Sequence, residues 1–440
     1  MFTKKALQRL ILPLVVEQLL AVTIGMADTV MVSGVGEAAI SGVSLVDSIN
    51  ILLIQIFSAL ATGGAVVVSQ YIGSGNQKNA CAAAKQLLYS ITILSAGIMA
   101  FCLIFCNPIL RLIFGNIDQD VLDYANIYFL LTASSYPFLA IYNAGAALYR
   151  SMGNSKVSMF TSLIMNIVNI GGNAILIYGC GWGTAGAGTA TLVSRIVAAY
   201  IMLVLICRKN NLVYVDRLFH PEFDLSMVKR IFSIGAPNGL ENGMFQIGKL
   251  IVQRLVTTFG TSAIAANAVA GSISSAANVP GNAISLGLIT IVGQCVGAKD
   301  YDQSVYYTKR MIGLSYLSMG ILNILLFFSA GPLVGLFRLD SAAAASCVEI
   351  LQVFAFCSAT IWVPSFVLPN TLRAAGDARF TMLTSAFSMW VFRIGFSYIL
   401  AGAGFGLISV WYAMFIDWLF RSFIFIIRFR GGRWKTKRVI

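Results

Sequence analysis

Along the chain, apolar residues gather into blocks of about 20, a length that carries a helix across about 30 Å of hydrocarbon. Twelve such blocks run near 11–33, 43–69, 86–106, 124–148, 157–179, 186–207, 233–258, 264–292, 311–331, 347–370, 381–401 and 407–428, and most of the charge falls between them. The pattern predicts an all-α polytopic membrane protein. The first block follows Lys4, Lys5 and Arg9, as a signal peptide would. It is too long for an h-region, carries Glu17 and Asp28, and offers no convincing cleavage site. It reads as a retained first helix.

Composition agrees. The chain has 440 residues, 58% hydrophobic and 11% charged, where a soluble domain carries about 25% charged residues. The excess apolar surface must face lipid. A net charge of +13 would suggest nucleic acid in a soluble protein, but its distribution gives a topology instead. Lys4, Lys5, Arg9, Lys78, Lys85, Arg150, Lys156, the 208–232 stretch, Lys299, Lys309, Arg310, Arg373, Arg379 and the 428–438 tail all fall on one side. Arg111 and Arg338 fall on the other, beside Glu37, Asp118, Asp120, Asp123 and Asp340. The positive-inside rule then predicts both termini in the cytoplasm. The eight cysteines form no C-x-x-C pair; Cys102 and Cys106, four apart, read as packing residues on one helix face. The single histidine, His220, lies in a polar connector, so imidazole catalysis or metal binding within the membrane is not expected.

A shift of 224 residues superposes unusual residues: Pro13 on Pro237, Glu17 on Glu241, Gly36 on Gly260, Gln70 on Gln294, Gly73 on Gly297 and Pro108 on Pro332. One deletion later, at 223, Arg150 falls on Arg373, Gly153 on Gly376, Lys156 on Arg379 and Gly183 on Gly406. Polar residues and prolines matching in register imply a duplication. An even number of spans per half makes the repeats parallel, related by an axis along the membrane normal. The expected organisation is a six-helix lobe over 1–207, a cytoplasmic connector over 208–232, a second six-helix lobe over 233–428 and a basic cytoplasmic tail over 429–440.

Ionisable residues in hydrocarbon cost on the order of 2.5–3.5 kcal/mol each on insertion scales, so each needs a reason. At 1.5 Å per residue, Asp28 lies about 25 Å along helix 1, Asn169 and Asn173 about 18 and 24 Å along helix 5, and Thr191 of helix 6 at about 24 Å. Four oxygen-bearing side chains thus converge at one depth. Their repeat partners are Val252, Phe392, Phe396 and Met414, so the second half has no such cluster. The cluster is either a cation or proton site or a polar network that packs three helices together. Glu17 and Glu241 each follow a proline by four residues; they are candidate acids at the inner mouth of a cleft, or groups that bond the turns around the kinks. Asp417, Arg393 and Arg421 read as mutually neutralising. Arg254 can snorkel, Asp47 reads as solvated near a helix start, and Arg195 and Lys249 have no evident partner. Pro280, Pro364 and Pro369 mark kinks that act as hinges or as static bends.

Certain runs carry a resemblance: P-L-V-V-E-Q-L-L at Pro13–Leu20, A-D-T-V-M-V at Ala27–Val32, G-E-A-A-I at Gly36–Ile40, V-S-Q-Y-I-G-S-G at Val68–Gly75 and R-S-M-G-N at Arg150–Asn154. The second half adds G-A-P at Gly235–Pro237, G-Q-C-V-G at Gly293–Gly297 and L-R-A-A-G-D at Leu372–Asp377. Over about 10–430 the chain resembles the multidrug and toxic compound extrusion (MATE) family, its DinF-like or general bacterial members more than the NorM type. The resemblance implies twelve helices in two lobes, V-shaped around a cavity, and export of small, often cationic, organic compounds in exchange for protons or Na+. It matches Asp28 to a functional aspartate of helix 1, and Asn169 and Asn173 to a helix-5 pair that is Asn then Asp in sodium-binding members. Having Asn173 instead leaves one formal charge and favours protons. Phe245 stands where NorM-type members place an acid, so a sodium site in the second lobe is not expected. A monomer in the bacterial plasma membrane, with no cofactor beyond the coupling ion and no nucleic acid, completes the expectation. The alternative within transport is a lipid-linked oligosaccharide flippase, which usually has about fourteen helices and a basic cavity. An intramembrane enzyme would need a His cluster, a G-x-S-x-G or metal-ligand spacing, none of which appears. A channel would need a filter or charge ring.

Overall fold

A computed structural model describes residues 2–115, 118–218, 222–337, 339–437 and 439–440. His220, Pro221, Arg338 and Arg438 lie outside the described residues. All regular structure among the described residues is helical. The first half contains α1 (Lys4–Ser33), α2 (Glu37–Gly73), α3 (Gln77–Ile104), α4 (Cys106–Phe114), α5 (Gln119–Ser134), α6 (Tyr136–Ser151), α7 (Ser155–Asn173) and α8 (Gly183–Ile206). Then come α9 (Leu225–Thr257), α10 (Thr261–Ala277), α11 (Val279–Gly297), α12 (Tyr301–Gly335), α13 (Ser341–Cys357), α14 (Val363–Phe366), α15 (Leu368–Ala374), α16 (Ala378–Ser388), α17 (Phe396–Gly402) and α18 (Ile408–Arg430). Segments of π-helix join α7 to the turn before α8 (Ala174–Gly179), α13 to α14 (Ser358–Trp362) and α16 to α17 (Met389–Gly395).

Ten of these stretches are long and apolar enough to cross a membrane. The chain is therefore a multi-pass membrane protein. Two predicted spans fall outside that set for visible reasons. The 124–148 block divides into α5 and α6 at Ser135, just ahead of Pro137. The 233–258 block sits in α9 and carries Glu241, Lys249 and Arg254. Proline also decides where the repeats differ. Residues 37–73 form the continuous helix α2, whereas the corresponding 261–297 break at Asn278, with Pro280 in the first turn of α11. Pro364 and Pro369 likewise open α14 and α15. Pro108, unable to bond the Ile104 carbonyl, coincides with the end of α3 at Ile104. Cys106 therefore starts a new helix, yet it remains near enough to Cys102 to feel it electrostatically, and both are buried free thiols.

The chain forms two compact units, Phe2–Gly239 and Leu240–Ile440. The division falls inside α9, beyond the polar stretch, because the connector and the start of α9 are tied to the first half. Gln77 donates to the Leu212 carbonyl at 2.8 Å, Gln86 to Glu222 at 2.5 Å and Tyr89 to Leu218 at 2.6 Å. Glycines then let α9 touch α2: a Cβ on Gly63 would lie 2.6 Å from the Gly235 nitrogen. Asp224 caps this helix, and the Ser226 hydroxyl, followed by the Met227 amide, holds its carboxyl below the usual carboxylate range.

Pro13 lies inside α1 and cannot bond the Arg9 carbonyl one turn back. The buried Ser155 hydroxyl answers, within reach of Arg9 O at 3.3 Å and of Leu10 O. The glutamates do not do this work. The second half has Ala378 at the position equivalent to Ser155. Ser155→Ala should destabilise the protein by about 1 kcal/mol, read as a lower melting temperature in detergent. An unchanged melting temperature would show that the carbonyls find other donors.

Candidate coupling site

Helix α7 is amphipathic in the sense suited to lipid: its polar residues turn inward. Ser155, Ser158, Ser162, Asn166, Asn169 and Asn173 recur every three or four residues and are all buried, while Phe160, Leu163 and Ile167 are exposed. With no water in hydrocarbon, such a stripe must be satisfied by neighbouring helices. Along this stripe α7 meets α1 at one edge and α8 at the other. Small residues permit the approach to α8, since a Cβ on Gly172 would lie 2.9 Å from that of Ala190.

At the end of the stripe the four predicted residues come together. Asn173 Nδ2 donates to Asp28 Oδ1 at 2.5 Å and lies 3.4 Å from Asn169 Oδ1; Asn169 Nδ2 donates to Thr191 Oγ1 at 3.2 Å. Asn169, Asn173 and Thr191 are buried and Asp28 is half-buried. Asp28 enters none of the ion pairs found among the described residues. The amide orientation of Asn173 is fixed by the carboxylate, which requires a donor. Its Oδ1 is consequently turned away, fully buried, with no donor of its own. Directly after Asn173 the helix widens into the π segment Ala174–Gly179, a distortion found often at functional positions.

Sequence reading missed the neighbourhood of this cluster. Asp47 is not solvated at a helix start. Helix α2 begins at Glu37, so Asp47 lies about 15 Å along it, half-buried, accepting from Tyr128 Oη at 3.3 Å and Asn50 Nδ2 at 3.2 Å. Asn50 in turn accepts from Tyr136 Oη at 2.7 Å. Arg195, one turn along α8 from Thr191, donates to Ser135 Oγ at 2.6 Å and acts electrostatically on both Asp28 and Asp47. Thr191 and Arg195 at i, i+4 spacing was a readable signal that α8 presents a hydroxyl and a cation on one face.

Glu17 and Glu241 do not present free charge. Arg150 Nη1 lies 3.1 Å from Glu17 Oε1, and Ser158 donates to Oε2 at 2.6 Å. Arg373 Nη2 lies 2.7 Å from Glu241 Oε1, with Arg421 at 3.8 Å. The two pairs are equivalent under the repeat: Glu17 and Glu241 differ by 224 positions, Arg150 and Arg373 by 223. Two opposite charges duplicated in the repeat, on either side of its one-residue deletion, were the legible sign of this pairing. Pro280, Pro364 and Pro369 sit at the helix breaks described above.

Comparison with known proteins follows the same repeat. The family profile MatE matches residues 13–175 and again 237–399, two ranges offset by 224. "Uncharacterized transporter YisQ" of Bacillus subtilis (strain 168) is 27% identical over 97% of this chain and 94% of its own length. "Probable multidrug resistance protein NorM" of Thermotoga maritima is 26% identical over 99% of this chain and 94% of its own. Among solved structures, the outward-facing conformation of a multidrug resistance MATE family transporter of the MOP superfamily shares the fold with a TM-score of 0.92, at 19% identity, covering 99% of this chain and 97% of that one. With two profile matches spanning both halves, the chain belongs to the MatE family of membrane transporters.

Proposed function

We propose that this protein is a secondary antiporter that exports drugs or other small organic compounds by alternating access, driven by protons taken up at Asp28. The multidrug names of its relatives support the export, and the arrangement around Asn173 supports the coupling. Asp28 and Asp47 against Arg195 leave one uncompensated negative charge when both carboxyls are ionised. One monovalent positive charge cancels it. A protonated Asp28 needs an acceptor for its hydroxyl, and a flip of the Asn173 amide, whose buried carbonyl oxygen no donor holds in place, would present that oxygen to it. Sodium would need several free oxygens, yet Asn169 Oδ1 lies within reach of the Asn173 amide and Asn169 Nδ2 is committed to Thr191. Protonation is thus the better fit to these donors.

Loss of charge at Asp28 changes what α1, α7 and α8 can hold together, and the breaks at Asn278, Pro364 and Pro369 supply bending points for the second half. With both termini in the cytoplasm, the basic loops face inward. A proton moving down one pH unit releases about 1.4 kcal/mol. The test is dye efflux from proteoliposomes under one imposed gradient at a time. A pH gradient alone should drive export and a sodium gradient alone should not. Export driven by sodium alone would overturn the proton assignment, and export with every gradient collapsed would overturn antiport.

A further inference from the structure

The second half is charged in the opposite sense. Its interior holds Glu241 and Asp417 against Arg373, Arg393 and Arg421, and Lys249 adds a further cation on an exposed position of α9. Glu241, Phe245 and Lys249 recur every four residues and so share a stripe of α9; Asp417, Arg421 and Phe425 do the same on α18. Between these stripes Arg421, 1% exposed, lies 5.0 Å from the Phe245 ring, 4.5 Å from Phe366 and 5.8 Å from Phe425. Glu241 is taken by Arg373 at 2.7 Å, with Arg421 behind it at 3.8 Å. Asp417 accepts from the Ser388 hydroxyl and meets Arg393 only at 4.0 Å. Lys249 has no carboxylate partner among the described residues; the charge acting on it is that of Arg393, of the same sign.

Three largely buried arginines against two acids leave an excess of one positive charge, in the part of the chain where a charge costs on the order of 2.5–3.5 kcal/mol, and the exposed Lys249 adds a second. Donors are in surplus as well: Arg393 Nε, Arg421 Nε and Nη1, Arg373 Nε and Trp418 Nε1 are buried without acceptors, and only Glu241 Oε2 and Asp417 Oδ2 stand unused among the carboxylate oxygens. Arg393 lies on the π segment Met389–Gly395, and Gly248 lets that segment close on α9, since a Cβ there would lie 2.0 Å from the Met389 methyl. Lys249 and Arg393 are thus carried on two segments that close on each other, near enough to act on one another electrostatically, with Asp417 the one acid near Arg393, at 4.0 Å, among the described ion pairs.

We propose that Lys249 and Arg393 form a binding site for an organic anion, or for the anionic group of a zwitterion. The group would accept from both cations and remove the charge excess that the helices of this half leave standing. As a place for exported cargo the site rests on the exporter reading; as a binding site it does not.

The probes are 6-carboxyfluorescein and rhodamine 123, which share a xanthene ring system and differ in the sign of their charge. Equilibrium dialysis against the purified full chain in nanodiscs of uncharged lipid, with the same pH and salt on both sides, reads binding alone. The wild-type chain should retain carboxyfluorescein in preference to rhodamine 123. Lys249→Gln should weaken that binding about tenfold, the worth of one charge-assisted hydrogen bond. Lys249→Glu should abolish it and Lys249→Arg should preserve it. Lys249 is exposed in its helix, so these variants test charge without emptying the core. Equal retention of carboxyfluorescein by wild type and Lys249→Glu would overturn the site, as would a preference for rhodamine 123 that position 249 does not affect. Because no gradient is present, the result is blind to Asp28. Dye retained without any export would sink the exporter reading and leave the anion site standing.

Discussion

Asp28→Asn is expected to reduce gradient-driven dye efflux to the level of protein-free liposomes and to abolish drug resistance in cells that make the protein at unchanged levels. An asparagine at 28 keeps the size of the side chain and can still accept from Asn173 Nδ2, so α1 should stay docked on α7. What it cannot do is gain or lose a proton. The net charge of the Asp28, Asp47 and Arg195 group then stays fixed through the cycle, and the pH gradient has no group at this position to act on. Asp47→Asn is the informative companion. It is bound by Asn50 and Tyr128, and if Arg195 is its fixed counter-ion, losing it should lower efflux and shift the pH at which efflux is half-maximal without abolishing transport. Full efflux from Asp28→Asn would remove the coupling assignment. Full loss from Asp47→Asn with normal function of Asp28→Asn would move it to α2.

The cluster at Asp28 was legible in the sequence because helical rise is constant. Residues counted from the predicted ends of three spans arrived at one depth, and the repeat showed that Val252, Phe392, Phe396 and Met414 lack the same chemistry. Asp47 was lost for the same reason inverted: α2 begins six residues ahead of its apolar block, at Glu37 in place of Val43, so a carboxylate three turns in was counted as near the start. Arg195 could not be placed because its hydrogen-bond partner, Ser135, stands at a helix break that hydropathy does not register; the block at 124–148 is apolar on both sides of it. The division of the chain was also only half visible. Composition marks 208–232 as a connector, but contacts made by Gln77, Gln86, Tyr89 and Gly63 attach that stretch and the first turns of α9 to the first half.

The two glutamates next to the helix prolines give the sharpest contrast in stability. Removing the charge at Glu241 strands two arginines, Arg373 with 11% of its side chain exposed and Arg421 with 2%, in surroundings already rich in positive charge. Breaking a buried pair from one side costs about 3–5 kcal/mol, and Glu241→Gln should show that loss as a large fall in melting temperature in detergent. At Glu17 only Arg150 is stranded, and Ser158 can still donate to the amide oxygen, so Glu17→Gln should cost less despite occupying the equivalent place in the repeat. The double variant Glu241→Gln with Arg373→Gln should recover part of the loss, because the second change removes one of the charges the first exposed. An anion that occupies Lys249 and Arg393 should also raise the melting temperature of Glu241→Gln more than that of wild type, since the variant carries one more uncompensated cation. Equal falls for Glu17→Gln and Glu241→Gln would mean that the arginines are neutralised by something other than these carboxylates, and the charge asymmetry between the two halves would lose its energetic meaning.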